Sequence, residues 1–358
     1  MRNGFNVASS SEFVNEIRDD AREAQFHYHA AARFRPGRGL RAWTRPAILG
    51  RVKSARRFEL DLADGWQGGS PGDRAGSPAR EHTPLDLALA AVGVCSLKTA
   101  IAGGSARGIT FDGIDMVISA DVLPGEADFL PTARVRRLGY DISTRSDADA
   151  ALIEEVTRQI LDRSPNHRTV KDDTELRFRH DGRELACTPA PSPAGAGGER
   201  TVRRRVTWIS GTQFESAGLD HSGSDLPLRV DEAKQFAGVD WAPNPQEYVV
   251  LALAAELASL AARAQTAATG STGEWTVHAH GLLDLRGLML VDPSAAVGFQ
   301  TVDCAVEGPA GLPSADTERY FRAAVEGSAL VELLALPHPV EVRLSSGAPD
   351  APRPAAVR

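Results

Sequence analysis

The stretch Thr83–Ile101, TPLDLALAAVGVCSLKTAI, and its counterpart Asn244–Ala264, NPQEYVVLALAAELASLAARA, decide how this chain folds. Thr83 and Asn244 are strong N-cap residues, Pro84 and Pro245 suit the first helical position, and Asp86 and Glu247 complete a capping box at the third. Beyond these starts both stretches are apolar nearly all round for about three turns, the pattern of a helix buried on most sides rather than one lying on a surface. As apolar runs they read as too short and too interrupted to span a bilayer. The matched starts lie 161 positions apart, and similar signals surround each of them in the same order.

Downstream of the first stretch, FDGIDMVISADV (111–122) and ARVRRLGYDIST (133–144) alternate as half-buried strands do. DADAALIEEVTRQILDRS (147–164) then places apolar residues at helical spacing. EWTVHAHGLLDL (274–285), AVGFQTVDCAVEG (296–308) and SADTERYFRAAVEGSALVELLA (314–335) repeat that succession. Strands grouped around two helices, instead of alternating in a βαβ series, predict an α+β class and an internal duplication. TPAPSPAGAGGER (188–200) has no apolar periodicity and reads as a flexible link. Ser9 and Glu12 have capping-box spacing and predict an amphipathic leader helix to about Ala24. The expected organisation is a leader (1–25), a first repeat (26–182), a linker (183–200), a second repeat (201–346) and a tail (347–358).

At 358 residues the chain has the length of two ordinary domains, and 42 % hydrophobic with 24 % charged residues places it in the globular range. A net charge of −7 argues against a nucleic-acid coat, and no membrane partner is expected. The amino terminus lacks the layout of a secretory signal, so a cytoplasmic protein is expected. Cys95, Cys187 and Cys304 are sparse and unpaired in spacing, which suits a reducing compartment. No phosphate-binding glycine loop or nucleotide fingerprint is present, and no cofactor is expected. His27/His29 and His278/His280 are His-x-His pairs that a strand would present on one face. Without a third ligand they read as ordinary strand histidines, and no metal is expected.

A proline-initiated apolar helix with a cysteine eleven positions after the proline, here Pro84 to Cys95, resembles the OsmC/Ohr family of osmotically inducible and organic hydroperoxide resistance proteins. The resemblance covers roughly residues 26 to 180 and 201 to 345. It implies two tandem OsmC-like units, each with strands around a long buried central helix, forming within one polypeptide the intertwined dimer of that family. It also implies a reactive cysteine at Cys95, assisted by an arginine from an early strand turn and by a nearby carboxylate. Arg38 in the PGRG turn is the expected arginine, with Arg35, Arg41 and Arg45 as competitors, and Asp86 the expected carboxylate. The family's resolving cysteine falls at Ser164, ahead of Pro165, and the second half has Glu256 at the reactive position and about Ser328 at the other.

A thiol attacks peroxide as thiolate, so Cys95 needs a cation to lower its pKa, and the helix start is too distant to supply that field. The basic stretch Arg33–Arg57 is the expected source. The leading expectation is a one-cysteine peroxidase for apolar organic hydroperoxides, serving an oxidative stress response, which relies on an external thiol because Ser164 cannot resolve the sulfenic acid. Alternatives are an enzyme using Cys95 as covalent nucleophile on a non-peroxide small molecule, and a non-catalytic scaffold with an apolar pocket. Glu256 inside an apolar helix must be paired, hydrogen-bonded or neutralised, either as a structural ion pair or as an acid/base group in a degenerate second site. His167, three residues after Ser164, is expected either to hydrogen-bond near the site or to be an ordinary loop histidine. A homo-oligomer of the tandem chain is a possible assembly.

Overall fold

The computed structural model describes residues 2–63, 81–127, 130–189, 198–219, 224, 226–236 and 238–346. Residues 190–197 of the expected linker and the whole tail from 347 fall outside the described residues, and the expected linker's first residues, Arg183–Leu185, are a strand instead. The protein is α+β. The helices are α1 (Val7–Asp19), α2 (Pro84–Ala106), α3 (Ala150–Arg163), α4 (Pro165–Lys171), α5 (Pro245–Thr269), α6 (Leu285–Leu288), α7 (Ser314–Glu326) and α8 (Ala329–Ala335). The first eight strands are β1 (Gln25–Arg35), β2 (Gly39–Leu49), β3 (Val52–Ser54), β4 (Glu59–Leu62), β5 (Phe111–Ala127), β6 (Leu130–Ser146), β7 (Glu175–His180) and β8 (Arg183–Leu185). After the linker come β9 (Arg200–Ser210), β10 (Gln213–Gly218), β11 (Leu228–Val230), β12 (Trp275–Asp284), β13 (Phe299–Glu307) and β14 (Val340–Ser346).

Two sheets enclose the helix pair α2 and α5. One runs β3-β2-β1-β12-β13-β7-β8, with β4 also paired to β2, and the other runs β11-β10-β9-β5-β6-β14. Each sheet therefore contains strands from both sides of the linker. β1 pairs antiparallel with β12, and β9 with β5. β13 pairs parallel with β7, and β14 with β6. Helix α2 packs on β5 and β9, α5 packs on β1 and β12, and the helices pack on each other. The buried apolar side chains form one continuous cluster through both halves, so the length-based expectation of separate cores gives way to a shared one.

Both central helices begin as their sequences dictate, with complete capping boxes at Thr83/Asp86 and Asn244/Glu247. At 23 and 25 residues they are, contrary to the sequence expectation, long and apolar enough to cross a membrane by length and composition. In this fold the two sheets and the partner helix cover that surface, and 83 % of each apolar window is buried. The close approach of α2 to the second sheet requires Gly93, where an added Cβ would stand 2.9 Å from Val206 Cγ2 and 3.2 Å from Ile118 Cγ2. Gly93→Val is expected to cost about 1–3 kcal/mol through overpacking, read as a lowered midpoint in thermal melting; an unchanged midpoint would mean that this contact is soft.

The leader differs from expectation. Its N-cap is Asn6, whose side chain accepts from the Ser9 backbone, and the helix stops at Asp19 before a 3₁₀ turn at Ala21–Ala24. Ser9 and Glu12 lie inside the first turns and form no cap. The cause is tertiary. Asn3 is held at the far end of α2 by bonds from its amide to Ser105 Oγ and the Ile109 carbonyl, both 2.9 Å, and by the Phe111 N–H. This anchor sets where the chain can enter the helix.

Candidate functional site

The starts of the two central helices are tied across the linker. Asp86 caps α2 through the Thr83 N–H and accepts from Arg204 Nη1 of β9 at 2.5 Å, with the two side chains 1 % and 0 % exposed. Arg204 also donates to the Ser216 carbonyl at 2.7 Å and to Ser216 Oγ. In the mirrored arrangement Glu247 caps α5 and accepts from Arg56 Nη2 at 2.7 Å. Burial pushes the Glu247 carboxyl up to about 6, against the opposing pull of Arg56. Asp86 and Glu247 thus serve as caps and as cross-half ion pairs.

Cys95 sits on α2 with no exposed surface. Its sulfur accepts from the Asn166 backbone N–H and from Gln246 Nε2, each at 3.4 Å. Burial pushes the thiol above its ordinary value, and the charge of Lys98 with the bonds from Ser164 and Asn166 offsets this only in part. Arg38 does not supply the cation. It is exposed at the tip of the β1–β2 turn, where its backbone N–H bonds to the Arg35 carbonyl. Its competitors are engaged elsewhere: Arg35 with Glu274 at 2.5 Å, Arg41 with Asp61 at 2.7 Å, and Arg45 with His278 at 3.3 Å. Strand alternation turns these arginines to the face of the sheet away from the helices.

The cation nearest in effect is Lys98, one turn beyond Cys95 on α2. It is ion-paired with Glu232, which follows β11. Burial alone would lower the Lys98 ammonium, but Glu232 outweighs it and the group titrates higher than an ordinary lysine. Beside this pair lies a cavity of about 450 Å³ lined by Phe13, Phe26, Tyr28, Phe236, Leu283 and Met289 among others. Phe13 of α1 stands edge-on to Phe236 with ring centroids 5.4 Å apart, so the leader helix closes one side. Gln246, Pro165 and Lys98 line the cavity and Cys95 does not; the amide that touches the sulfur separates it from the open space.

Asn166 organises this wall. Fully buried, it donates from Nδ2 to the Ala91 carbonyl of α2 at 3.0 Å and to the Pro245 carbonyl of α5 at 3.1 Å. Its Oδ1 accepts from Gln246 at 3.4 Å. Asn166, Gln246, Lys98 and Glu232 went unnoticed in the sequence. Only the one-turn spacing of Lys98 from Cys95 was available as a signal. Ser164 is buried between α3 and α4, 3.4 Å from Ser96 Oγ. His167 bonds to Tyr140 Oη at 3.0 Å, and burial lowers it to about 4. Cys187 is half-buried with Arg322 Nη1 3.7 Å from its sulfur, and Cys304 is sealed within β13.

The second half uses the same positions differently. Glu256 accepts from Ser328 Oγ and, at 2.9 Å, from the Leu330 N–H, so it holds the start of α8. Its partners belong to its own half. Burial pushes this carboxyl up to about 7 in spite of those bonds and the charge of Arg263. No model of a known protein family matches the chain, and no curated protein sequence matches it.

Proposed function

We propose that this chain is a tandem OsmC-like protein whose cavity takes an apolar small molecule, with Cys95 acting as a buried structural thiol. The observation that carries this reading is the placement of an aromatic-walled cavity of about 450 Å³ beside a sulfur that has no exposed surface and titrates above its ordinary value. Such a volume suits a single small ligand, whose burial there is driven by the area removed from water. The Lys98–Glu232 pair on the wall offers one polar anchor. Support for the tandem reading comes from the matching strand orders, in which β2-β1-β12-β13-β7 corresponds to β10-β9-β5-β6-β14 when the halves are exchanged. The paired backbone donors, Asn166 N–H to Cys95 and Leu330 N–H to Glu256, follow the same correspondence.

A second reading, the one-cysteine peroxidase, is favoured by the two N–H donors on Cys95, an arrangement that suits a thiolate. In that reaction the thiolate attacks the hydroperoxide oxygen, giving a sulfenic acid and an alcohol, and two equivalents of an external thiol return the cysteine with release of water and a disulfide. Gln246 would have to swing aside first.

Titration with an apolar fluorescent dye separates the readings. Saturable one-site binding is expected, unchanged in Cys95→Ser and lost in Ala102→Trp, which fills the cavity from α2. Alkylation of Cys95 is expected to stay slow up to the ordinary thiol range. Absence of saturable binding would defeat the ligand reading, and hydroperoxide consumption abolished by Cys95→Ser would install the peroxidase in its place.

A further inference from the structure

The two His-x-His pairs, far apart in the sequence and on opposite sides of the linker, are brought together on one face of the first sheet. The β1–β12 register sets His29 opposite His280, with His27 one pleat further along β1. His27 Nδ1 lies 3.0 Å from His280 Nε2. We propose that His27 and His280 form a two-imidazole site for a borderline divalent transition cation, of which zinc is the representative.

Three features support this. Two nitrogens bound to one tetrahedral zinc ion at its usual bond lengths stand about 3.3–3.4 Å apart, so the observed pair, held in nearly parallel rings, has to open by only a few tenths of an ångström. Asp303, opposite His280 on β13, places Oδ2 3.7 Å from His280 Nδ1. A carboxylate there favours the proton on Nδ1 and leaves Nε2 bare, the orientation that a metal-bound histidine takes from its outer partner. His29 stacks on His280 with ring centroids 4.6 Å apart and planes inclined at 19°, which holds the ring in place.

Without metal, one of the two facing nitrogens carries the hydrogen of an N–H···N bond. On binding, His27 takes its proton on Nε2, so both imidazoles stay neutral and none leaves the protein. Among the described residues no group of three or more His, Cys, Asp or Glu side chains converges as a metal site, so water completes the coordination and the affinity is modest. His278 is held by Arg45 and Glu307 instead.

Calorimetric titration of the full chain with zinc chloride, in a buffer that does not chelate, tests the site. One zinc per chain is expected, with micromolar affinity that falls roughly tenfold or more in His27→Gln and in His280→Gln. His278→Gln is expected to bind as wild type does, and thermal melts confirm that each variant is folded. Zinc affinity unaltered in both His27→Gln and His280→Gln would place the ion elsewhere, Cys187 included, and overturn the proposal. Heat of dilution alone up to millimolar zinc would overturn it equally, leaving a plain imidazole–imidazole hydrogen bond.

Discussion

Arg204→Met is expected to destabilise the protein by about 3–5 kcal/mol, the cost of breaking a buried ion pair by removing one partner. Both members of the Arg204–Asp86 pair are sealed from water, and the guanidinium also satisfies the Ser216 carbonyl. Methionine fills much of the volume but strips the guanidinium from the Asp86 carboxylate, which keeps its bonds from the Thr83 N–H and Oγ1. Most of the loss is thus the penalty of a stranded charge. Arg204→Met combined with Asp86→Asn, which keeps a capping oxygen without the charge, is expected to recover at least half of it. Denaturant melts of the two single variants and the double measure both quantities. A double variant no more stable than Arg204→Met would show that the guanidinium acts through packing and its bonds to Ser216. Because β9 and α2 belong to opposite sides of the linker, the same experiment gauges how strongly the halves are welded.

Glu256→Gln is expected to reverse sign with pH. A carboxyl raised from its ordinary 4.5 to about 7 binds its proton more tightly in the folded state than in the unfolded chain. Its contribution is therefore complete below pH 4.5 and is lost as pH rises through 7. The expected loss for wild type between pH 5 and 8 is on the order of 2 kcal/mol. Glutamine has no proton to lose and can still accept from Ser328 and Leu330. The variant should match wild type or fall slightly below it at pH 5 and exceed it at pH 8. Unfolding curves for both proteins across that range isolate Glu256, because every other titrating group cancels in the difference. Parallel pH profiles would mean that the carboxylate is ionised throughout and that its two donors suffice.

The reach of the sequence differs from residue to residue. Thr83, Asp86, Asn244 and Glu247 were legible because a capping box closes over three residues and depends on nothing remote. Cys95 could be located on its helix, yet its surroundings could not be foreseen. The expected guanidinium of Arg38 is spent on solvent, while Gln246 and Asn166 donate to the sulfur from two other helices and Lys98 acts on it through its charge. Glu256 had to be satisfied somehow, and only the fold showed that Ser328 and the α8 backbone do so. In the leader, Ser9 and Glu12 had the better cap spacing, but the anchoring of Asn3 on α2 moved the helix start to Asn6.

The sequence alone determined the α+β class, the central helices and their starts, and the alternating strands, since all of these follow from short-range periodicity and capping. Tertiary structure decided which strands share a sheet, what covers the apolar helices, which charges face Cys95, and that His27 meets His280. Those outcomes depend on pairings between residues far apart in the sequence, among them β1 with β12 and β5 with β9. Their register is set by the burial of two sheets against one helix pair, a global balance that no local window of the chain contains.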